Sequence, residues 1–474
     1  MSLRFHWMFP KGGEVGMKTA QETSRVATTK AGSAAALPDL EGWARFARCA
    51  EDAGIESVLL SFSRYEPDTI FVACAVGQAT RKLKFIVAYR LGLMQPATFV
   101  QQINTLSGVI GGRVSLNIVA GSSMVEQRGY GDFLEHDERY ARAEEFLSVC
   151  RSFWANNGAV NFTGKYCRIE QGKLFTPFLA PDRSAPEIYV SGHSEQAQHL
   201  ALTQGSCYLR LIDTPENLAG IVKRFRDKGI EVCLRLCVVC RPTHEDALAA
   251  AEALLPSEEI ERQERRILSA SDSKTLKDAL ATADDVGWMN RNLWAGLVPY
   301  YGSSAITLVG SPQDLAQAFM EYKQIGVTQF IISGWPKLDE MMIFGREVIP
   351  LVREAERSLG RVLWNISLVG CAARKWITIR FRITFSSRCF QTITIASCCA
   401  ICRRAMFTTT CMRSRISSWI ISATAINATW TMVGRIVSRP IYKRFGLHLT
   451  IGFSVTNSRR RCWNRLAAES RGRR

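Results

Sequence analysis

The densest chemistry in the chain lies in one turn, Ser191-Gly192-His193-Ser194, within the run PEIYVSGHSEQAQHLALTQ at residues 186–204. The apolar residues Ile188 to Val190 predict a buried strand, and Glu195-Gln196-Ala197 opens a helix, so both serines sit where a strand feeds a helix N-terminus. Free backbone N–H groups, two hydroxyls and a glycine that permits close approach together suit a phosphate. Ser194 equally suits a plain N-cap, the commoner use of such a turn. The architecture around the turn decides between these readings.

That architecture is an alternation of strands and helices. Continuous apolar runs predict strands beginning at residues 3, 57, 83, 113, 187, 207, 231 and 328, each followed by a helical segment. Leu40, Trp43, Phe46, Ala47 and Ala50 share one helical face that stops at Gly54, and Pro96 stands at the first turn of its helix. Thr214-Pro215, Thr243 and Ser311-Pro312-Gln313-Asp314 start further helices, 136–156 is a long amphipathic helix, and 338–356 closes the series. Residues 161–170 suggest a surface hairpin, and 257–305 show helices and a mobile excursion with no strand pattern. Eight βα steps predict an α/β protein with a (β/α)8 TIM barrel carrying insertions. An open doubly wound sheet is the rival, but it usually carries GxGxxG after its first strand, and KGGEVG stands there instead.

In such a barrel, function lies at the C-terminal ends of the strands. Those ends read Phe9-Pro10-Lys11, Phe62-Ser63-Arg64, Tyr89-Arg90, Ala120-Gly121-Ser122, the 191–194 turn, Arg235 within its strand, and Ser333-Gly334-Trp335. Aromatics, small residues and cations predominate, with no carboxylate pair and no His/Cys cluster of metal-binding spacing. The set suits a flat anionic ligand better than hydrolytic acid–base chemistry.

Composition divides the chain. The 474 residues carry a net charge of +17, yet residues 361–474 hold 21 Lys and Arg against one acid, Glu469, while residues 1–360 are slightly acidic. Three readings of the tail are open: a basic nucleic-acid-binding domain, a membrane segment at 418–434, or translation in a wrong frame after a frameshift near residue 360. A surface almost without acids is hard to build as a charge-balanced domain, which favours the frameshift and removes the tail from functional argument. The eight cysteines of residues 1–360 are dispersed among apolar runs and imply a reducing, cytoplasmic setting. Cys237 and Cys240 have CxxC spacing, but a strand puts them on opposite faces. The start, MSLRFHWMF, lacks the pattern of a signal peptide.

The collinear runs RVSLNIVAGSS, GYGDFLEHDERYARAEEF, YVSGHSE, LRLCVVCR, NLWAGLV and ISGWP resemble the bacterial luciferase-like flavin monooxygenases, most closely the alkanesulfonate monooxygenase branch, from residue 2 to about 358. The resemblance implies a barrel domain over 1–360 that binds reduced FMN from a separate NAD(P)H-dependent reductase and, with O2, oxygenates a small organic substrate. It implies that Tyr140, Ser191, Gly192 and Ser194 hold the FMN phosphate, that Ala120 and Gly121 leave room for the ring, and that Arg235 and Trp335 line the reacting centre. It also implies a homo-oligomer with no resident metal, no nucleic acid and no membrane. Departures stand at Gly12 and Cys237, where the alkanesulfonate enzymes have histidines, at Glu66, where they have a cysteine, and at Trp335, where they have a tyrosine. The arginine of their mobile loop has no counterpart in VPYYGSS. Flavin binding therefore carries over further than sulfonate specificity, and a deazaflavin-dependent oxidoreductase or a non-catalytic flavin carrier are the alternatives.

Overall fold

The computed structural model describes residues 2–10, 37–64, 66–121, 123–155, 157–255, 274–285 and 287–359, together with 381–384, 431–432 and 448–450. They fall into two compact units, Met1–Glu356 and Arg357–Arg474. In the first unit the strands are β1 (Arg4–Met8), β2 (Ser57–Leu60), β3 (Lys84–Arg90), β4 (Val114–Val119), β5 (Val160–Thr163), β6 (Arg168–Gly172), β7 (Ile188–Ser191), β8 (Cys207–Leu211), β9 (Glu231–Cys240), β10 (Leu293–Trp294), β11 (Thr307–Gly310) and β12 (Gln329–Ser333). Parallel pairing runs β1-β2-β3-β4-β7-β8-β9-β12 and returns to β1, a closed eight-stranded barrel made of the eight strands expected. β5 and β6 form the antiparallel hairpin.

The helices are α1 (Leu40–Asp52), α2 (Thr69–Gly77), α3 (Pro96–Val109), α4 (Met124–Gly129), α5 (His136–Ala155), α6 (Glu195–Gln204), α7 (Pro215–Arg226), α8 (His244–Glu252), α9 (Lys274–Asp285), α10 (Val298–Tyr301), α11 (Pro312–Ile325) and α12 (Lys337–Ile343). Caps explain where they start. The side chains of Asp39, Asp68, Thr214, Thr243 and Ser311 each accept a backbone N–H of the first turn, and Ser311 with Asp314 completes a reciprocal capping box. α12 passes through a π-helical turn at Phe344–Val348.

Strand alternation sorts side chains into two cores. Outward residues such as Phe5, Val58, Phe85, Leu116, Val190 and Phe330 pack under the helices, where Phe5 meets the rings of Phe319 and Phe344 edge-on at 5.2 Å. Inward residues Met8, Leu59, Ile86, Ala88, Tyr189, Cys207, Leu209, Cys233 and Ile331 fill the barrel itself. At the N-terminal end of the barrel the filling becomes ionic. Arg4 bonds to Glu187 at 2.8 Å, Glu56 at 3.1 Å and Glu231 at 3.2 Å, Lys84 reaches Glu56 at 2.9 Å, and Tyr189 Oη donates to Gln329 at 2.6 Å.

Three features depart from the expected pattern. β9 has the ten residues expected, 231–240, but its end, residues 238–240, runs past the ring and pairs with β11. β11 is four residues between a loop and a helix cap, too short to stand out as a run, and β10 is two residues that pair with it and, through Trp294, with Trp288. α4 is six residues with no room for a periodic apolar face. Residues 256–273, within the expected excursion, lie outside the described residues. In the second unit Phe381–Thr384, Thr431–Met432 and His448–Thr450 pair as a small antiparallel sheet, and the remaining expectations for 361–474 fall outside the described residues.

Candidate active site

Above the apolar filling, the inward positions at the C-terminal mouth turn polar again. Arg235, one inward step beyond Cys233 on β9, is half-buried, and its only described hydrogen-bond contact is Nη2 at 3.5 Å from the Met8 sulfur. Burial pulls its pKa down while Cys237 and Glu66 oppose that shift, and a guanidinium stays charged regardless. A fixed cation with so weak a partner is available to an anion. Glu66 itself is engaged, accepting the Ser61 hydroxyl at 2.6 Å.

Cys237 follows on β9 and is not reactive. Its Sγ donates to Ser304 O at 3.2 Å, and burial pushes the thiol up to about 12. Cys240 lies in the main core, so the CxxC pair is indeed split between two faces of the strand. Trp335 packs its ring on Tyr301, centroids 4.4 Å apart, in an apolar cluster with Cys237, Val239 and Leu297. An indole there shapes a wall and offers neither acid nor base. Gly12 lies outside the described residues.

The 191–194 turn is held from three sides. Ser191 Oγ donates to Ile118 O at 3.3 Å, tying the end of β7 to β4. Tyr208 Oη donates to Gly192 O at 2.8 Å, and its ring stacks on Phe225. Ser194 caps α6, its Oγ accepting Ala197 N–H at 3.2 Å, and its side chain lies beside the Tyr140 phenol of α5, which burial raises in pKa. Gly192 has φ of 138°, and a Cβ there would come within 3.1 Å of Tyr140 Oη and 2.8 Å of Ala197 Cβ. Tyr140, Gly192 and Ser194 thus meet at one helix start, with Ser191 alongside.

Ala120 and Gly121 end β4, and what holds them was not legible in sequence. Ala120 O accepts both Gln127 Nε2 at 2.7 Å and Arg139 Nε at 2.9 Å. Gly121 has φ of 86°, and a Cβ would lie 1.4 Å from Gln127 Nε2. The residue before Gln127, Glu126, pairs with Arg90 at 3.0 Å and accepts Arg64 N–H at 2.8 Å, while the Arg90 guanidinium lies over the rings of Phe62 and Tyr130. The short α4 therefore joins the ends of β2, β3 and β4. The only advance signal was GYGDFLEHDERY itself, whose Arg139 adjoins Tyr140.

Charge separates the faces of this region. A groove between α5 and α6, which Tyr140 also lines, carries Asp137, Glu144 and Glu195 and is itself unsuited to a phosphate. At the turn, by contrast, His193 is pushed down to about 4, first by burial and then by the positive charges of Arg210 and Lys274. Among the described residues no group of three His, Cys, Asp or Glu is placed to hold a metal ion.

The family model described as "Luciferase-like monooxygenase" matches residues 3–329. Among solved structures, the EDTA monooxygenase of Chelativorans sp. BNC1 superposes with a TM-score of 0.60 at 21% identity, covering 75% of this chain and 94% of its own. A riboflavin lyase, solved with modified FMN and riboflavin, gives 0.60 at 19% identity over 75% of this chain and 92% of its own. An F420-dependent secondary alcohol dehydrogenase gives 0.52 at 17% identity over 74% and 99%. At these identities the likeness to the solved structures is one of fold.

Proposed function

The chain belongs to the luciferase-like monooxygenase family, and from that premise we propose that it takes reduced FMN from a separate reductase and uses it with O2 to oxygenate a small organic substrate. One observation carries the choice of FMN: Tyr140, Gly192 and Ser194 converge at the start of α6 beside two cations, a donor set that fits a phosphate dianion. In this reading Tyr140, Ser191, Gly192 and Ser194 bind the phosphate, and Ala120 with Gly121 give the ring backbone to lie against. When bound, FMN supplies the two-electron chemistry that activates oxygen. Arg235 steadies negative charge developing near it, and Trp335 with Tyr301 keeps one wall of the site dry.

The substrate is a small molecule of alkanesulfonate-like or other specialised type, and Glu66 and Cys237, at positions where the alkanesulfonate branch carries other residues, favour the latter. The test is anaerobic titration of the full chain with reduced FMN, followed by admission of oxygen and measurement of its uptake with and without candidate substrates. Saturable binding with substrate-dependent oxygen uptake supports the proposal. Binding without uptake, or reduction of a deazaflavin in preference to FMN, would reassign the chain to the dehydrogenase type that shares its fold.

A further inference from the structure

Arg210 enters the reading above only as a nearby positive charge, not as a ligand. It stands on β8 between two residues that bond directly to the 191–194 turn: Gly192 N–H donates to Leu209 O at 3.3 Å, and Leu211 N–H donates to His193 Nε2 at 3.4 Å. The neighbouring arginines are occupied. Arg224 donates to Gln198 Oε1 at 2.9 Å, Arg139 to Ala120 O at 2.9 Å, and Arg142 to Asp132 at 2.6 Å. Arg210 makes no hydrogen bond or ion pair with another described residue, and its Nε is buried without a partner. A guanidinium part-desolvated for no acceptor is unfavourable unless something else supplies one.

The surrounding charges say what that acceptor is. His193 accepts the Leu211 N–H through Nε2 and is therefore neutral, contributing no charge of its own. Arg210 and Lys274 both bear on it, and the facing carboxylate is Asp278, whose Oδ2 lies 3.9 Å from His193 Nδ1. Two cations thus face Asp278 and, in the first turn of the ten-residue helix, Glu195, while the helix N-terminus adds its own attraction for an anion.

We propose that Arg210 is a phosphate ligand of this site, donating a charge-assisted hydrogen bond to the terminal phosphate of the cofactor, so that the chain selects a phosphorylated flavin over its dephosphorylated form. The proposal rests on the reading that the 191–194 turn receives that phosphate. A planar guanidinium suits the task better than a lysine, because its several N–H groups meet two phosphate oxygens at once.

The test compares wild type, Arg210→Gln and Arg210→Lys as full chains, each titrated anaerobically with reduced FMN and separately with reduced riboflavin, with flavin fluorescence as the readout. Wild type binds FMN more tightly than riboflavin. Arg210→Gln loses about tenfold or more in FMN affinity, leaves riboflavin affinity unchanged, and relieves competition by inorganic phosphate. Arg210→Lys recovers part of the loss and carries the test if the glutamine variant does not fold. Unchanged FMN affinity in both variants, with wild type still preferring FMN, would overturn the role of Arg210 while leaving the turn as the phosphate site. Equal binding of the two flavins by wild type overturns this proposal together with the phosphate reading beneath it.

Discussion

The two ends of the barrel use the same residue types for opposite purposes. At the N-terminal end Arg4 meets three glutamates, Lys84 meets Glu56, and Tyr189 and His6 both reach Gln329. At the C-terminal end Arg235 has only a sulfur contact, Arg210 has no described partner, and Asn117 Oδ1 and Gln127 Oε1 are buried without one. Buried polar groups are ordinarily satisfied, so a network completed within the chain reads as scaffold, and one left open reads as a place where a ligand supplies the missing bonds. What distinguishes floor from mouth is whether the charged groups find partners within the chain: the floor's ion pairs close, although His6 Nδ1 there is buried without a partner, whereas Arg210 and Arg235 are left open.

Substitutions at the two ends should therefore fail in different ways. The largest effect is expected at the floor. Arg4→Ala strands Glu56, Glu187 and Glu231 together and should cost about 3–5 kcal/mol of stability, measured by urea unfolding, with flavin affinity of the folded fraction unchanged. At the mouth Arg235→Ala should lower turnover roughly ten- to a thousandfold while stability moves by less than about 1 kcal/mol. Equal losses of stability at both ends would dissolve the distinction. Gly121→Ala falls between: a Cβ overlapping Gln127, on a backbone that favours glycine, should cost about 1–3 kcal/mol and loosen flavin binding as well, seen by pairing a thermal melt with a titration.

A pH series sharpens the contrast. The folded chain holds both His6 and His193 down to about 4, against an ordinary 6.5 once unfolded. Between those values the unfolded chain binds more protons, so stability should fall as pH drops from 6.5 towards 4. Burial is the leading cause at each site, followed by Arg4 at the floor and by Arg210 and Lys274 at the mouth. His6→Asn should flatten that slope in urea titrations without touching FMN affinity, and phosphate-bearing ligand should alter only the His193 part. The smallest effect is Tyr140→Phe, expected to weaken FMN binding by about three- to tenfold in the same fluorescence titration.

The barrel was legible because each of its strands is an apolar run bounded by turn residues, and parallel strands buried on both faces leave that signature. The turn proposed for the phosphate could be singled out because Ser191, Gly192 and Ser194 lie within four residues at a strand-to-helix junction. Arg235 was legible as an inward residue of its strand at the expected mouth, whereas Tyr140 came only through family resemblance, since nothing local marks a tyrosine on α5 as reaching a turn more than fifty residues on. Gln127, Glu126 and Arg139 escaped notice because their work is done through long-range bonds to Ala120, Arg90 and Arg64, on a helix too short to show a pattern. β11 escaped because it is only four residues long and pairs with the end of β9, a strand whose full length was expected but whose extra partner was not.

The ionic floor has a further consequence for traffic. Arg4, Lys84 and three glutamates are tied across the base of the barrel, so among the described residues that end is closed by ion pairs. Under the proposed function, cofactor, oxygen, substrate and product would then share the opposite end, and whichever is largest would block the others while it passes. Order of arrival becomes a property of the scaffold: a bulky ligand seated last serves as the stopper, and its departure sets when the next cycle begins.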